Sequence, residues 1–248
     1  MRKELRSGIY LLPNLLTTAG LFAAFYSIVA SLKGLFEPAV IAIFIGMIAD
    51  ALDGRIARLT NTQTYFGAEY DSLSDMVSFG VAPSLLLYNW ALHSLGKFGW
   101  LVAFFYTAAV ALRLARFNTQ LNTTDKSYFQ GLACPPAAAL ISAFAWLCYE
   151  NKWSNTFIAI VTAVMAMSIA ILMVSNIRYY SFKNLDLKGK VPFLYVLIIV
   201  IIFMGIAVYP SLILFLAAAF YATSGPLQTL MAVQRVRKKR KSRRKKSG

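Results

Sequence analysis

Four aspartates lie between residues 50 and 75, in the stretch DALDGRIARLTNTQTYFGAEYDSLSD, although the chain of 248 residues has only ten acidic side chains. Asp50 and Asp53 are three residues apart, and Asp71 and Asp75 are four apart. On an α-helix either spacing places both side chains on one face. The sequence therefore predicts two helices that each present a pair of carboxylates.

Small residues and one cation share these two faces. Gly54, Ala57 and Arg58 continue the face of the first helix, and Gly67 continues that of the second. Small residues permit close helix packing and leave room for a phosphate beside a metal ion. The short linker at 59–66 predicts that the two helices are antiparallel neighbours, so that all four carboxylates converge.

Carboxylates this close together repel one another and lose hydration, so they must be protonated, paired with cations or bound to a metal ion. Ligands that are all oxygen favour hard cations such as Mg²⁺, Mn²⁺ or Ca²⁺. Two other interpretations are solvated helix ends and an ion-transport pathway. Neither interpretation explains why Arg58 and several small residues accompany the carboxylates.

The elements that must position these side chains are membrane helices. Hydrophobic residues make up 58% of the chain, charged residues 14%, and the mean hydropathy is +0.60, which excludes an ordinary soluble domain. A helix needs about 20 apolar residues to span the hydrocarbon core. We therefore predict an all-α polytopic bundle of about eight transmembrane helices, near residues 8–31, 37–59, 73–93, 97–117, 134–150, 154–176, 191–208 and 210–232.

This pattern predicts one membrane domain at 1–232, with a core at about 8–183 and two additional helices at 191–232, followed by a basic tail at 233–248. With the N-terminus in the cytoplasm, twenty-two Lys and Arg residues fall on the cytoplasmic side and three on the other. This asymmetry predicts that both termini and the aspartates are cytoplasmic. The net charge of +15 comes largely from the tail, which predicts contact with anionic membrane lipids and not with nucleic acid.

Asp50 comes 12 residues after Pro38, which opens the second predicted helix. At 1.5 Å per residue this is a rise of roughly 18 Å, which leaves Asp50 inside the membrane slab but near its cytoplasmic surface. A site at this depth would meet the headgroups of lipids.

The whole pattern Asp50-x-x-Asp53-Gly54-x-x-Ala57-Arg58, eight residues, Gly67-x-x-x-Asp71-x-x-x-Asp75 resembles the signature of the CDP-alcohol phosphatidyltransferases. All eight fixed positions match. These membrane enzymes move a phosphatidyl group from a CDP-linked lipid to an alcohol. The resemblance also implies a homodimer packed through membrane helices.

The resemblance implies a role for each matching residue. A pair of divalent cations, Mg²⁺ or Mn²⁺, would be held by Asp50, Asp53, Asp71 and Asp75, and Asp75 would also be the catalytic base. CDP-diacylglycerol would be bound at its diphosphate by Gly54, Arg58 and Thr64, and at its cytidine by Asn14 and Thr17 of the segment PNLLTT.

Four further stretches resemble the bacterial phosphatidylserine synthase branch of this family: SDMVSFGVAPS, RLARFN, YFQGLACPPAAA and MVSNIRYYSFK. One departure is Ala133, where the branch has proline. The predicted reaction is therefore transfer of the phosphatidyl group from CDP-diacylglycerol to the hydroxyl of L-serine, with release of CMP, in the bacterial inner membrane. Predicted serine contacts are Arg113 and Arg116 at the carboxylate, with Ser78 and Asn118 as neutral partners.

Several alternatives stay open. Arg113 and Arg116 would equally serve as anchors at the cytoplasmic surface. The same chemistry with glycerol 3-phosphate or an inositol phosphate would require more cations at the site. A divalent-cation carrier would bind metal without releasing CMP, and an interaction protein leaves the signature unexplained.

Overall fold

The computed structural model describes residues 4–120, 128–180 and 193–244. Nine α-helices lie within these ranges: α1 Glu4–Leu32, α2 Phe36–Leu59, α3 Tyr65–Asp75, α4 Ala82–Trp90, α5 Lys97–Gln120, α6 Cys134–Glu150, α7 Thr156–Val174, α8 Phe193–Val208 and α9 Pro210–Arg244. A short antiparallel ribbon joins β1, Tyr128–Gln130, to β2, Arg178–Tyr180. The predicted all-α membrane bundle is therefore found, with the ribbon as an addition that the sequence did not indicate.

Among the described residues, four segments are long and apolar enough to span a membrane by length and composition, namely Leu12–Leu32, Lys97–Thr119, Thr156–Val174 and Pro210–Thr229. Helices α2, α6 and α8 are not among these four segments. Helix α2 carries the charged residues of the first aspartate pair, and α6 and α8 have only 17 and 16 residues. The count of eight spans stays a prediction. Helix α9 also continues through the predicted boundary at residue 232, so no helix end marks the start of the basic tail.

The helix predicted at 73–93 is interrupted. A π-helical segment at Met76–Val81 joins α3 to α4, and a 3-10 turn at Leu92–Leu95 follows α4. Pro83 has no N–H to donate to the carbonyl four residues earlier, that of Phe79. This carbonyl accepts a hydrogen bond from Tyr106 Oη of α5 instead, at 3.0 Å. Helix α5 thereby replaces the bond that the proline removes.

Helices α1 and α2 pack closely where two glycines meet. A Cβ added to Gly20 would lie 3.5 Å from Ala49 Cβ and 3.6 Å from the carbonyl oxygen of Gly46. Small residues at such a crossing let the backbones approach. Since Gly46 is one turn before Asp50, this crossing brings α1 to the first aspartate pair.

Two contacts fix the register between α5 and the α3–α4 segment. Asn118 Nδ2 donates to Ser72 Oγ at 3.0 Å, and Val110 packs on Gly80, where an added Cβ would lie 3.3 Å from Val110 Cγ1. The two partners are eight residues apart on both elements, as expected for antiparallel neighbours. This register makes Asp75 level with the turn of α5 between Arg113 and Arg116.

The ribbon closes the end of the bundle that holds the aspartates. Gly131 follows β1 with a φ of +75°, and an added Cβ would lie only 2.2 Å from the carbonyl oxygen of Met173. On β2, the buried Tyr179 donates from Oη to the carbonyl of Ala222 at 3.0 Å, and its ring fills the space beside Gly225. The ribbon therefore connects α5, α6 and α7 to α9.

Candidate metal centre and substrate site

The two pairs of aspartates converge as the sequence predicts. Asp50, Asp53 and Asp71 each offer a carboxylate oxygen within 4.8 Å of the others. Asp75 lines the same cavity and is hydrogen-bonded to Asp50. Three carboxylate oxygens at this spacing, with Asp75 lining the same cavity, suit a hard divalent cation.

Helix α1 holds one of these carboxylates in place. Thr17 Oγ1 donates to Asp53 Oδ2 at 2.6 Å, and both side chains are buried. Ser74 Oγ donates in turn to the carbonyl of Thr17 at 3.3 Å. Thr17, which the resemblance assigned to cytidine, thus contacts a predicted metal ligand. The bond orients Asp53 and leaves its second oxygen for another partner.

The negative charge of the cluster affects the carboxyl of Asp71, which lies on α3 just before the membrane segment predicted at 73–93. Burial, together with the charges of Asp53 and Asp50, raises the pKa of the Asp71 carboxyl to about 7. Both causes disfavour the charged form, so a bound cation would lower this pKa again. The cluster therefore requires positive charge when it is fully ionised.

A second group of predicted residues meets where α3 begins. Thr64 caps the helix, because its Oγ1 accepts from the backbone N–H of Gly67 at 2.9 Å. A Cβ added to Gly67 would lie 3.0 Å from Thr64 Oγ1 and 3.3 Å from Asn14 Oδ1. Gly67 thus has the close-packing role that the sequence predicts for it.

Gly54 has a different environment, because no other helix packs on it within the described part of the chain. A Cβ added there would meet only the guanidinium of Arg58, at 3.9 Å from Nη1 and 4.0 Å from Nη2. Arg58 is exposed. The open space above Gly54 and beside this guanidinium fits a bound anion better than a helix contact.

The predicted serine contacts fall into two places. Ser78 is buried and lines the aspartate cavity, while Asn118 is bonded to Ser72 near the C-terminal end of α5. Arg113 is 9% exposed, and its Nη1 donates to the carbonyls of Gln130, at 2.8 Å, and Met173, at 3.3 Å. These bonds tie α5 to β1 and α7.

Among the described residues, Arg116 has three acceptors, of which two are side chains that the sequence did not single out. Its Nη2 donates to Gln130 Oε1 at 2.8 Å and to Asn176 Oδ1 at 2.5 Å, and its Nη1 donates to the carbonyl of Val174 at 3.2 Å. Gln130 and Asn176 do stand in the stretches YFQGLACPPAAA and MVSNIRYYSFK. Their polar side chains within these two stretches were the signal that could have identified them.

The remaining titratable candidates lie away from this centre or are closed off. His93 is exposed in the 3-10 turn after α4. Cys134 and Cys148 are free and buried thiols. Cys134, at the start of α6, contacts Arg113 of α5.

The sequence comparisons agree with this geometry. The family model for CDP-alcohol phosphatidyltransferase matches residues 10–174, which include all four aspartates and both arginines of α5. The chain belongs to this family of enzymes.

Curated relatives in three distant organisms are named CDP-diacylglycerol–serine O-phosphatidyltransferase. The protein of Helicobacter pylori strain 26695 is 38% identical over 199 residues, which is 79% of this chain and 82% of the relative. The Methanocaldococcus jannaschii protein is 36% identical, over 66% of this chain and 74% of the relative. The Bacillus subtilis protein is 34% identical, over 70% of this chain and 92% of the relative. The chain is therefore similar to proteins of bacteria and archaea over most of its length.

Proposed function

We propose that this enzyme transfers the phosphatidyl group of CDP-diacylglycerol to the hydroxyl of L-serine, which yields phosphatidylserine and CMP. The convergence of Asp50, Asp53, Asp71 and Asp75 at one cavity is the observation that supports the reaction class. The names of the relatives support serine as the acceptor.

In the proposed reaction, the serine oxygen attacks the phosphorus that bears the diacylglycerol, and the bond from this phosphorus to the cytidylate oxygen breaks. Asp75 accepts the hydroxyl proton as the new P–O bond forms, because a carboxylate is too weak a base to remove it earlier. Two bound cations, Mg²⁺ or Mn²⁺, would neutralise the diphosphate and stabilise the leaving CMP. Asp50, Asp53 and Asp71 would hold them with Asp75.

The remaining contacts to CDP-diacylglycerol follow from where the side chains lie. Arg58 offers a fork of donors above the open face of Gly54, which suits one diphosphate oxygen pair. Thr64 and Asn14 lie together at the start of α3, and we assign them to the nucleotide side. Thr17 supports Asp53 in this proposal, in place of a direct contact to cytidine.

We also propose that the protein lies in the bacterial inner membrane with both termini and the site in the cytoplasm, and that it forms a homodimer through its membrane helices. The distribution of Lys and Arg supports the orientation. The cations of the tail would attract anionic lipid headgroups, each contributing about 1 kcal/mol near the surface.

Release of CMP by the purified protein in detergent tests the proposal. CDP-diacylglycerol and Mg²⁺ or Mn²⁺ would be supplied with L-serine, glycerol 3-phosphate, inositol phosphate or no acceptor. We expect release that depends on L-serine. The variant His93→Gln is the matched control, because His93 is exposed and distant from the aspartates, and its release should equal that of the unmodified chain.

CMP release that depends on a different alcohol would support phosphatidyl transfer as the reaction but would contradict serine as the acceptor. Folded protein that binds metal but releases no CMP with any of these acceptors would favour the cation carrier.

A further inference from the structure

The exposed end of the Arg116 side chain is the one guanidinium on α5 that a small anion could reach. Arg116 is partly exposed, whereas Arg113 is buried. In the part of the chain that the structure describes, all hydrogen-bond partners of Arg116 are neutral oxygens: Gln130 Oε1, Asn176 Oδ1 and the carbonyl of Val174. Amide oxygens bind a guanidinium more weakly than a carboxylate does, so an incoming carboxylate would displace them.

We propose that Arg116, Gln130 and Asn176 form the receptor for the carboxylate of the amino-acid acceptor, and that this receptor selects serine against alcohols without a carboxylate. The inference rests on the proposed function. It gives the two arginines of α5 different tasks, and it adds Gln130 and Asn176, which the sequence did not indicate.

The height of Arg116 in the bundle agrees with this task. The register set by Ser72 with Asn118 and by Gly80 with Val110 makes Asp75 level with the turn of α5 that ends at Arg116. An acceptor whose hydroxyl faces Asp75 therefore has α5 beside it at the same depth. Serine is short, so its carboxylate must be held at that depth and not further along the bundle.

Arg113 and the ribbon give the receptor a rigid frame. The guanidinium of Arg113 bridges the carbonyls of Gln130 and Met173, and Gly131 fits against the same Met173 carbonyl. Gln130 presents its backbone to Arg113 and its side chain to Arg116. The first arginine thus positions the residue that the second one uses.

The charge of the receptor also fits one acceptor class. A single guanidinium surrounded by amide groups matches the one negative charge of a carboxylate. The phosphate group of glycerol 3-phosphate or of an inositol phosphate carries nearly two negative charges. The single guanidinium would leave about one of these charges without a counter-charge. Neutral Gln130 and Asn176 therefore favour the amino acid, and they would accept hydrogen bonds from its ammonium group after displacement.

The test compares acceptors that differ only in the carboxylate. CMP release by full-length protein in detergent would be measured with L-serine, with L-serine methyl ester and with ethanolamine. For Arg116→Gln we expect the KM for L-serine to rise by about tenfold or more, the loss of one charge-assisted hydrogen-bonded contact. The KM for CDP-diacylglycerol and the rates with the two acceptors lacking a carboxylate should stay unchanged.

A second variant avoids removal of the guanidinium. Asn176→Asp puts a carboxylate of equal size next to Arg116 at an exposed position, where it would compete with serine and raise the KM for L-serine in the same way. Arg55→Gln removes one exposed cation from the same side of the protein and serves as the control; its KM for L-serine should change by less than about twofold.

The outcomes separate the two proposals. If Arg116→Gln and Asn176→Asp lower the rates with all three acceptors equally, or leave the KM for L-serine unchanged, the receptor is rejected while the serine reaction stands. If the unmodified protein shows no L-serine-dependent release at all, the proposed function fails and the receptor fails with it.

Discussion

Single hydroxyl and carboxyl groups decide how the aspartate cluster can hold an ion. The short bond from Thr17 Oγ1 to Asp53 Oδ2 fixes one carboxylate before any cation binds. Groups that orient a metal ligand in this way often matter nearly as much as the ligand. We therefore propose that Thr17 is a positioning residue for the proposed metal centre.

The substitution Thr17→Val removes this hydroxyl and keeps the shape of the side chain. We expect the affinity for Mn²⁺ to fall by about 10- to 100-fold, the range found for partners of metal ligands, while Thr17→Ser should keep most of it. Binding would be followed by the electron paramagnetic resonance of free Mn²⁺. Thr162→Val is the matched control, because Thr162 is also buried and bonded to its own helix, far along the chain on α7. Equal losses in both variants would contradict the role of Thr17.

Substitution of Asp75 should mainly reduce turnover, whereas substitution of Asp50 should weaken lipid binding. For Asp75→Asn we expect the turnover to fall by about 10²-fold or more, since the proton acceptor is lost, while binding of CDP-diacylglycerol remains measurable. Asp50→Asn should weaken lipid binding itself. Both would be measured by CMP release and by equilibrium binding of the lipid in detergent. If lipid binding is lost equally in the two variants, Asp75 has no role distinct from ligation.

The raised pKa of Asp71 predicts how pH affects the metal-free protein. Its folded-state pKa of about 7 lies above the ordinary value of 3.8, so its contribution to stability is complete below the ordinary value and is lost as pH rises through about 7. The Tm in metal-free detergent should therefore be lower at pH 8 than at pH 6, and Mg²⁺ should restore it at pH 8. In Asp71→Asn most of this pH dependence should be absent; a Tm drop as large as in the unmodified chain would speak against it.

The sequence predicted the positions of the four aspartates better than the contacts that hold them in place. Spacing on a helix depends only on the chain, so the four aspartates and the faces of Gly67 and Arg58 could be assigned in advance. The bonds of Thr17 to Asp53 and of Arg116 to Gln130 and Asn176 join residues far apart in sequence. No local pattern specifies such pairs, because they depend on how whole helices cross.

At the scale of elements, the same limit applies to the fold. Long apolar helices such as α5 and α7 are evident from composition. The sequence did not predict the π-helical segment before Pro83 or the three-residue strands of the ribbon. Each is shorter than the window of residues in which a hydrophobic pattern can be recognised. Both depend on tertiary partners, Tyr106 for the first and Gly131 with α7 for the second.

The turn after β1 offers a direct test of this dependence. Gly131→Ala would combine a positive φ with a Cβ only 2.2 Å from a backbone oxygen, so we expect a loss of stability of about 3 kcal/mol or more, with loss of serine turnover. Gly34→Ala is the control, because Gly34 has nearly the same φ, +74°, with open space around it; its cost should be about 1 kcal/mol. Thermal unfolding and CMP release would be compared. Equal costs in the two variants would show that the close contact has no effect.

At the scale of the whole molecule, the prediction concerns which side of the membrane each loop faces. Cys134 and Cys148 are buried, so the unmodified chain should react little with a membrane-impermeant maleimide. Lys33→Cys and Gln63→Cys place single exposed thiols at opposite ends of α2. In intact spheroplasts we expect labelling of Lys33→Cys only, and labelling of Gln63→Cys after permeabilisation. The reverse pattern would invert the proposed orientation.

The packing of Tyr179 against α9 affects when the fold can be completed during synthesis of the protein. The aspartates belong to the first three helices, but Tyr179 finds its partners, Ala222 and Gly225, only near the end of the chain. A ribosome that has made the helices carrying the aspartates must therefore still make α5 to α9 before the ribbon is fully supported. Catalytic competence should appear late in translation, so a partly made chain would hold its ions without yet consuming lipid.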